Sequence, residues 1–437
     1  MVTEATSGRL GLPATVAIVV GGIVGTGIFA APAAIAPYGW LSVPAFAVVS
    51  AGSLCLALSF GRLVRRTTRS GGPYAYAEDA FGEFAGFLAA WTYWIQGWTG
   101  HATIAVAGAG YAESLFGTGG GRATTLAFAL AVLWLPVANN LVGTRSVGAV
   151  AVTTTVLKIG ALAVVAVAGL TLFDGGHVGG VTKHGGDWLP ALPAACAVLL
   201  FSFLGMEGAA VATNRVSNPD RNVPRAIVVG VAGVSLLYLA GTLAVQGVLP
   251  QDELARSSAP FADAAEVIFG GSWAATAIAG VAVISALGSL NGWNMVNAEM
   301  AAGAARDGLF PRWAARRTRG LPVVALIVNS ALASTLIAVN AAGDALSLFT
   351  TLALLSTFVY VFGYVLSVAA ELLHSLTTAE APAPPRGALG LAVVVVALVF
   401  SLWMAGATGP EAVQRGTVML LIGIPAHVLV RAARSRT

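Results

Sequence analysis

Charge is what this chain has least of: of its 437 residues 10% are Asp, Glu, Lys or Arg, while 57% are hydrophobic. A water-soluble domain carries roughly 25% charged residues, because it must cover itself with groups that water solvates. The shortage excludes a soluble enzyme or binding module, and a mean hydropathy of +0.83 leaves lipid as the solvent for most of the surface. Cysteine is scarce too. Cys55 and Cys196 both lie in apolar segments, where a free cysteine is a small buried hydrophobe, so no disulfide framework is indicated. No GxxxxGK[ST], HExxH or CxxC occurs, which removes the usual grounds for a nucleotide, zinc-protease or thiol-redox site. His177, His184, Asp174 and Asp187 share one loop and read as solvated residues, not metal ligands. The net charge is only +4, and the arginines fall in short clusters between apolar stretches, a topology signal and not a nucleic-acid surface. Met1 to Pro13 lacks a basic region followed by a cleavable apolar one, so the first apolar stretch is expected to remain as a span.

What is present fits helices. A chain in lipid must satisfy its backbone internally, as helices or as a closed barrel. Stretches such as Ala226 to Val248 and Leu389 to Met404 run without a charge or an apolar–polar alternation, which selects helices. Polar interruptions predict twelve spans, near 13–36, 40–62, 82–115, 123–141, 147–172, 189–214, 224–249, 274–303, 321–340, 344–373, 387–406 and 416–432. With the N-terminus placed in the cytoplasm, the inner loops and span ends carry eighteen Lys and Arg and the outer ones four. A shift of one span would reverse that bias, so the pattern predicts an even number of spans with both termini cytoplasmic.

Two spans look interrupted. The first holds Gly21, Gly22, Gly25 and Gly27, and the sixth holds Ser202, Gly205, Glu207 and Gly208. Glycine weakens a helix, and a carboxylate at membrane depth is expensive unless it faces a cavity or a partner. The interruptions stand five spans apart, which predicts two inverted repeats, about 13–172 and 189–373, with two extra helices over about 387–432 and the site at the breaks. A helix that stops and restarts exposes N–H groups at one end and carbonyls at the other. The amides of Thr26, Gly27 and Ile28 would suit a carboxylate, and the carbonyls of Ile23, Phe201 and Leu204 an ammonium. Close packing of helices through small residues such as Gly21 and Gly25 is the competing reading.

Four polar or aromatic residues stand out within spans. Glu207 reads as a gate or proton-responsive group, or as a structural carboxylate bonded inside the bundle. Lys158 lies thirteen residues beyond Arg145, roughly 20 Å into the membrane at about 1.5 Å per residue. It could replace a coupling cation, or be fixed by backbone carbonyls. Trp293, beside Ser289 and Gly292, could form a wall for an organic side chain, with ordinary packing as the alternative. His101 is a candidate for side-chain recognition or proton handling, or a satisfied core histidine.

The run Gly25-Thr26-Gly27-Ile28-Phe29, followed by Ala31-Pro32, resembles the first-span signature of the amino acid–polyamine–organocation superfamily. Ser70-Gly71-Gly72-Pro73-Tyr74-Ala75-Tyr76, Asn218-Pro219-Asp220-Arg221-Asn222-Val223-Pro224 and Arg306-Asp307-Gly308-Leu309-Phe310-Pro311 resemble its loops after spans two, six and eight. The likeness extends over essentially the whole chain and is strongest to the bacterial basic amino acid/polyamine antiporter branch. It implies an all-α integral membrane fold of twelve transmembrane helices, a LeuT-like 5+5 inverted repeat with helices 1 and 6 broken, plus two extra helices. It implies alternating-access transport of an amino acid or amine across the cytoplasmic membrane, as an exchanger or proton symporter, with no cofactor. A sensor that keeps the fold without cycling is the alternative. The resemblance also makes Glu207 similar to a gating glutamate, Trp293 to the aromatic that closes the pocket, and Lys158 to a lysine in the place of a sodium ion. Gly22, His101 and Phe201 stand where the arginine-exchanging members have asparagine, asparagine and tryptophan, so arginine specificity does not carry over. Protons as coupling ion and a homodimer as assembly are left open.

Overall fold

The structure, a computed structural model, describes residues 11–25, 27–66, 73–142, 147–182, 186–206, 216–341, 344–377 and 388–434. Among them the regular structure is helical, with no strand and an isolated bridge between Thr318 and Leu321. The helices are α1 (Leu12–Ile23), α2 (Gly27–Ile35), α3 (Ser42–Arg66), α4 (Pro73–Phe81), α5 (Glu83–Phe116), α6 (Arg122–Val142), α7 (Val147–Thr171), α8 (Gly175–Val178) and α9 (Trp188–Leu200). They continue with α10 (Pro219–Val248), α11 (Gln251–Leu254), α12 (Pro260–Phe269), α13 (Ser272–Arg306), α14 (Val323–Asn340), α15 (Ala345–Thr377), α16 (Ala388–Ala407), α17 (Pro410–Leu421) and α18 (Gly423–Arg434).

Among the described residues nine helical runs are long and apolar enough to cross a membrane, with Gly27–Leu63 and Pro410–Arg434 each counted as one. Twelve spans were expected, and the difference has two physical sources. Leu12–Ile23 and Trp188–Phe203 are apolar but short, each ending within the span expected for it. The third case is α5, which matches the expected span at 82–115 yet is not among the nine. Of its 34 residues 25 are buried, and it packs along both α13 and α15. A helix surrounded by protein need not be apolar all round, so α5 carries Gln96, His101, four threonines or serines and many glycines and alanines that let neighbours approach closely.

The last expected span, 416–432, falls within the apolar helical run Pro410–Arg434 but is kinked. The kink is at Ile422 between α17 and α18, where the Ile422 N–H still donates to the Val418 carbonyl. Pro425 has no N–H to donate to the preceding turn, and the Trp91 indole inserts there, donating its N–H to the Met419 carbonyl at 3.0 Å. A Cβ on Gly423 would stand 2.7 Å from that indole ring, so only glycine leaves it room. Trp91→Phe keeps the ring but loses the donor. It is expected to cost about 1 kcal/mol, seen as a fall of a few degrees in the melting temperature of the purified protein.

At another place three segments meet on one oxygen. The Tyr111 hydroxyl of α5 donates to the Phe29 carbonyl of α2 at 2.7 Å and accepts the Phe261 N–H of α12 at 3.2 Å. The Phe29 ring stands edge-on to both aromatic rings, 5.7 Å from Tyr111 and 5.6 Å from Phe261. The short helix α12 is thereby held against α2.

Candidate functional site

The first interruption is a tight turn. Val24 leaves helical geometry at φ −71°, ψ 85° while its N–H still donates to Val20. The Gly25 N–H turns back to the Ile23 carbonyl at 2.7 Å, and the helix restarts at Gly27. In the second interruption α9 ends at Leu200 and a 3₁₀ turn covers Phe201–Phe203. Leu204 is then extended at φ −65°, ψ 147°, and Gly205 has φ +97°, a conformation in which a side chain is strained.

The two interruptions touch. A Cβ on Gly22 would lie 2.9 Å from the Gly205 carbonyl oxygen, and one on Gly205 would lie 2.5 Å from the Gly22 oxygen and 2.9 Å from the Trp293 ring. A cavity of about 490 Å³, its open mouth included, forms around this crossing. Gly22, Ile23, Gly25 and Gly27 line it from the first break, and Phe201, Ser202 and Leu204 from the second. Gly97, Gly100, His101 and Ile104 of α5, Trp293 of α13 and Tyr360 of α15 complete the wall.

Six of the ten residues singled out from sequence therefore share one cavity: Ile23, Gly27, His101, Phe201, Leu204 and Trp293. Ile28 is buried in the first turn of α2 but does not line it. Lys158, on α7, does not line the cavity. It is 3% exposed and its Nζ lies 3.5 Å from Ser289 Oγ of α13. Thr26 and Glu207 lie outside the described residues. Sequence reading missed Gly97, Gly100, Ile104 and Tyr360. Tyr360 follows Ser356 and Thr357 within an otherwise apolar span, and that mid-span polarity was the available signal.

The chemistry of the wall is mostly backbone, aromatic rings and one imidazole. Helix geometry leaves the N–H groups of the first turn of α2 without carbonyls in their own helix. The Ile23 carbonyl accepts from both the Gly25 N–H and the Tyr238 hydroxyl, the latter at 3.2 Å, so a cation there would displace one of them. The Phe201 carbonyl accepts one bond, from Leu204 N–H at 3.3 Å, and keeps a second lone pair. His101 is 2% exposed. The Trp293 backbone approaches its ring, but neither ring nitrogen reaches a hydrogen-bond partner. Among the described residues no Asp or Glu lines the cavity, and no group of three or more His, Cys, Asp or Glu is arranged to hold a metal.

Comparison with known proteins identifies the family. A family model described as amino acid permease matches residues 10–426. The putrescine transporter PotE of Haemophilus influenzae is 30% identical over 96% of this chain and 96% of its own length. PotE of Escherichia coli K12 is 28% identical over 98% of this chain and 97% of its own. The cadaverine/lysine antiporter of the same strain is 28% identical over 77% of this chain and 76% of its own. A match across nearly every residue, on a chain of apolar helices around a buried cavity, makes this protein a multi-pass membrane transporter, a member of the amino acid permease family within the amino acid–polyamine–organocation superfamily.

Proposed function

We propose that the protein exchanges a small amine or amino acid across the cytoplasmic membrane by alternating access, holding it in the cavity where the two interrupted helices cross. The observation that carries this reading is the contact of the breaks at Gly22 and Gly205, which brings a helix N-terminus and exposed carbonyls to one small volume. The relatives' names, a putrescine transporter and a cadaverine/lysine antiporter, favour a substrate with at least one primary ammonium. The amides of Thr26, Gly27 and Ile28 would receive a carboxylate when the substrate has one. The carbonyls of Ile23, Phe201 and Leu204 would receive the ammonium, and Trp293, packed over Gly205, would cover it. His101 would face the rest of the molecule, and Glu207 would gate the site.

In this reading the chain has twelve spans in a 5+5 inverted repeat, about 13–172 and 189–373, with two extra helices and both termini cytoplasmic. The burial of Lys158 beside Ser289 supports an ammonium in the place of a coupling cation. Exchange should then run without sodium.

Purified protein is to be screened by thermal shift against diamines, lysine and the other amino acids, and positive compounds tested for counterflow in preloaded proteoliposomes. A ligand at a hundred times its dissociation constant stabilises the folded state by about 2.7 kcal/mol, so a true substrate should raise the melting temperature by several degrees. Saturable counterflow equal in sodium and in choline buffer is the expected outcome. Binding without counterflow under any gradient would overturn exchange, and counterflow that requires sodium would overturn the role of Lys158.

A further inference from the structure

Behind the cavity, between α5, α6, α13 and α14, lies a seam of buried amides that the transport site does not use. Asn291, Asn294 and Asn297 recur at three-residue spacing along α13, each at most 3% exposed. Asn291 ties the seam to α6, accepting from the Asn139 amide on its side-chain oxygen at 2.8 Å and from Asn140 on its backbone carbonyl at 3.1 Å. Asn297 ties it to α5, its amide 3.5 Å from the Trp94 carbonyl. The Trp94 indole then donates to the Asn329 side chain of α14 at 2.6 Å. Asn294 falls between Asn291 and Asn297 on the helix face, and the Trp98 ring stands 6.3 Å from that of Trp94.

Seven polar atoms in this seam have no hydrogen-bond partner: the oxygens of Asn140, Asn294 and Asn297, the amide nitrogens of Asn291, Asn294 and Asn329, and the Trp98 indole nitrogen. Buried polar groups are ordinarily paired with protein or with ordered water, and polar side chains at membrane depth are costly. The mixture identifies the missing partner. A cation would leave the nitrogens unmet, and an anion the oxygens. Turning over Asn140, Asn297 or Asn329 would break the hydrogen bond each already makes. Turning Asn294 leaves one donor and one acceptor unmet as before, so the mixture persists, and the indole donates in every case. Only a ligand that both donates and accepts satisfies the set.

We propose that this seam is an internal hydration site, a short file of ordered waters held by the asparagine amides against the back wall of the cavity. An internal water makes about three hydrogen bonds, so seven unmet atoms suit roughly two or three waters. The file and the cavity share a wall at Gly97, which lines the cavity and whose added Cβ would fall 2.1 to 2.5 Å from the Asn297 amide. The waters solvate that wall without opening it to lipid.

Radiolytic hydroxyl-radical footprinting of the full-length protein in nanodiscs tests the assignment, because radicals formed from bound water modify the side chains beside it. Trp94 and Trp98, each 8% exposed, should be modified within about tenfold of the rate of exposed Trp188. Phe46 and Phe203, buried edge-on against one another, serve as dry controls. Asn294→Leu, which removes two of the unmet atoms and fills their space, should cut modification of Trp98 at least fivefold. Modification of Trp94 and Trp98 no faster than the dry controls in the wild-type protein would overturn the proposal without need of a variant. Unchanged labelling in Asn294→Leu would assign the radicals to cavity water and overturn it equally.

Discussion

Gly205→Ala is expected to remove transport. The residue holds φ +97°, which costs a residue with a Cβ on the order of 1–3 kcal/mol. The methyl group would also stand 2.5 Å from the Gly22 oxygen and 2.9 Å from the Trp293 ring. Neither neighbour can yield cheaply, since one is backbone in the opposing break and the other fills the space above it. The crossing must part, and the first-break amides and second-break carbonyls then no longer face the same volume. A penalty of about 2 kcal/mol borne by the bound state alone lowers affinity roughly thirtyfold. Counterflow should therefore fall below a tenth of the wild-type rate, with the ligand-induced thermal shift lost in parallel. Gly280→Ala, where an added Cβ meets nothing within 4 Å, is the matched control and should change neither quantity.

The second large effect is expected at Gly97→Ala. Here the obstacle is the amide of Asn297, all three heavy atoms of which lie within 2.5 Å of an added Cβ. Asn297 belongs to a packed interface between α5 and α13, the most extensive helix pairing among the described residues. Overpacking of this kind costs about 1–3 kcal/mol, so the melting temperature should drop by several degrees and counterflow should fall with it. Gly100, three residues along the same helix and on the same cavity, separates the two causes. Its added Cβ would rest at 3.8 Å from Tyr360, an ordinary contact. Gly100→Ala should leave stability within a degree or two while its methyl group, standing in the cavity, weakens ligand binding.

Much of this architecture is legible in the order of the residues, for particular reasons. The breaks announce themselves through Gly21, Gly22, Gly25 and Gly27 and through Ser202 and Gly205, because glycine and hydroxyl residues in the middle of an apolar run weaken a continuous span. That Gly22 and Gly205 stand against each other is not legible there, since it depends on how two helices are rotated about their own axes. Tyr360 and Gly97 were missed for the same reason. Gly97 is unremarkable along its own helix, and the hydroxyl residues before Tyr360 mark a polar stretch without telling which neighbour it faces. The length of α5 was legible while its surroundings were not: the small and polar residues that weaken it as a lipid-facing span are those that let α13 and α15 close upon it. The kink at Ile422 had a signal in Gly423 and Pro425, but the carbonyl that Trp91 occupies belongs to tertiary contact. The asparagines of α13 were visible only as scattered polar letters. Their meaning came from the partners on α5, α6 and α14.

The Tyr111 oxygen, shared between the Phe29 carbonyl and the Phe261 amide, couples two displacements to one atom. If α2 tilts away from α5, the hydroxyl loses its acceptor and reorients. Its hold on the Phe261 N–H weakens at the same moment, and α12 is released as α2 departs. One oxygen therefore anchors both α2 and the short α12 beside it, so a displacement of either is felt by the other.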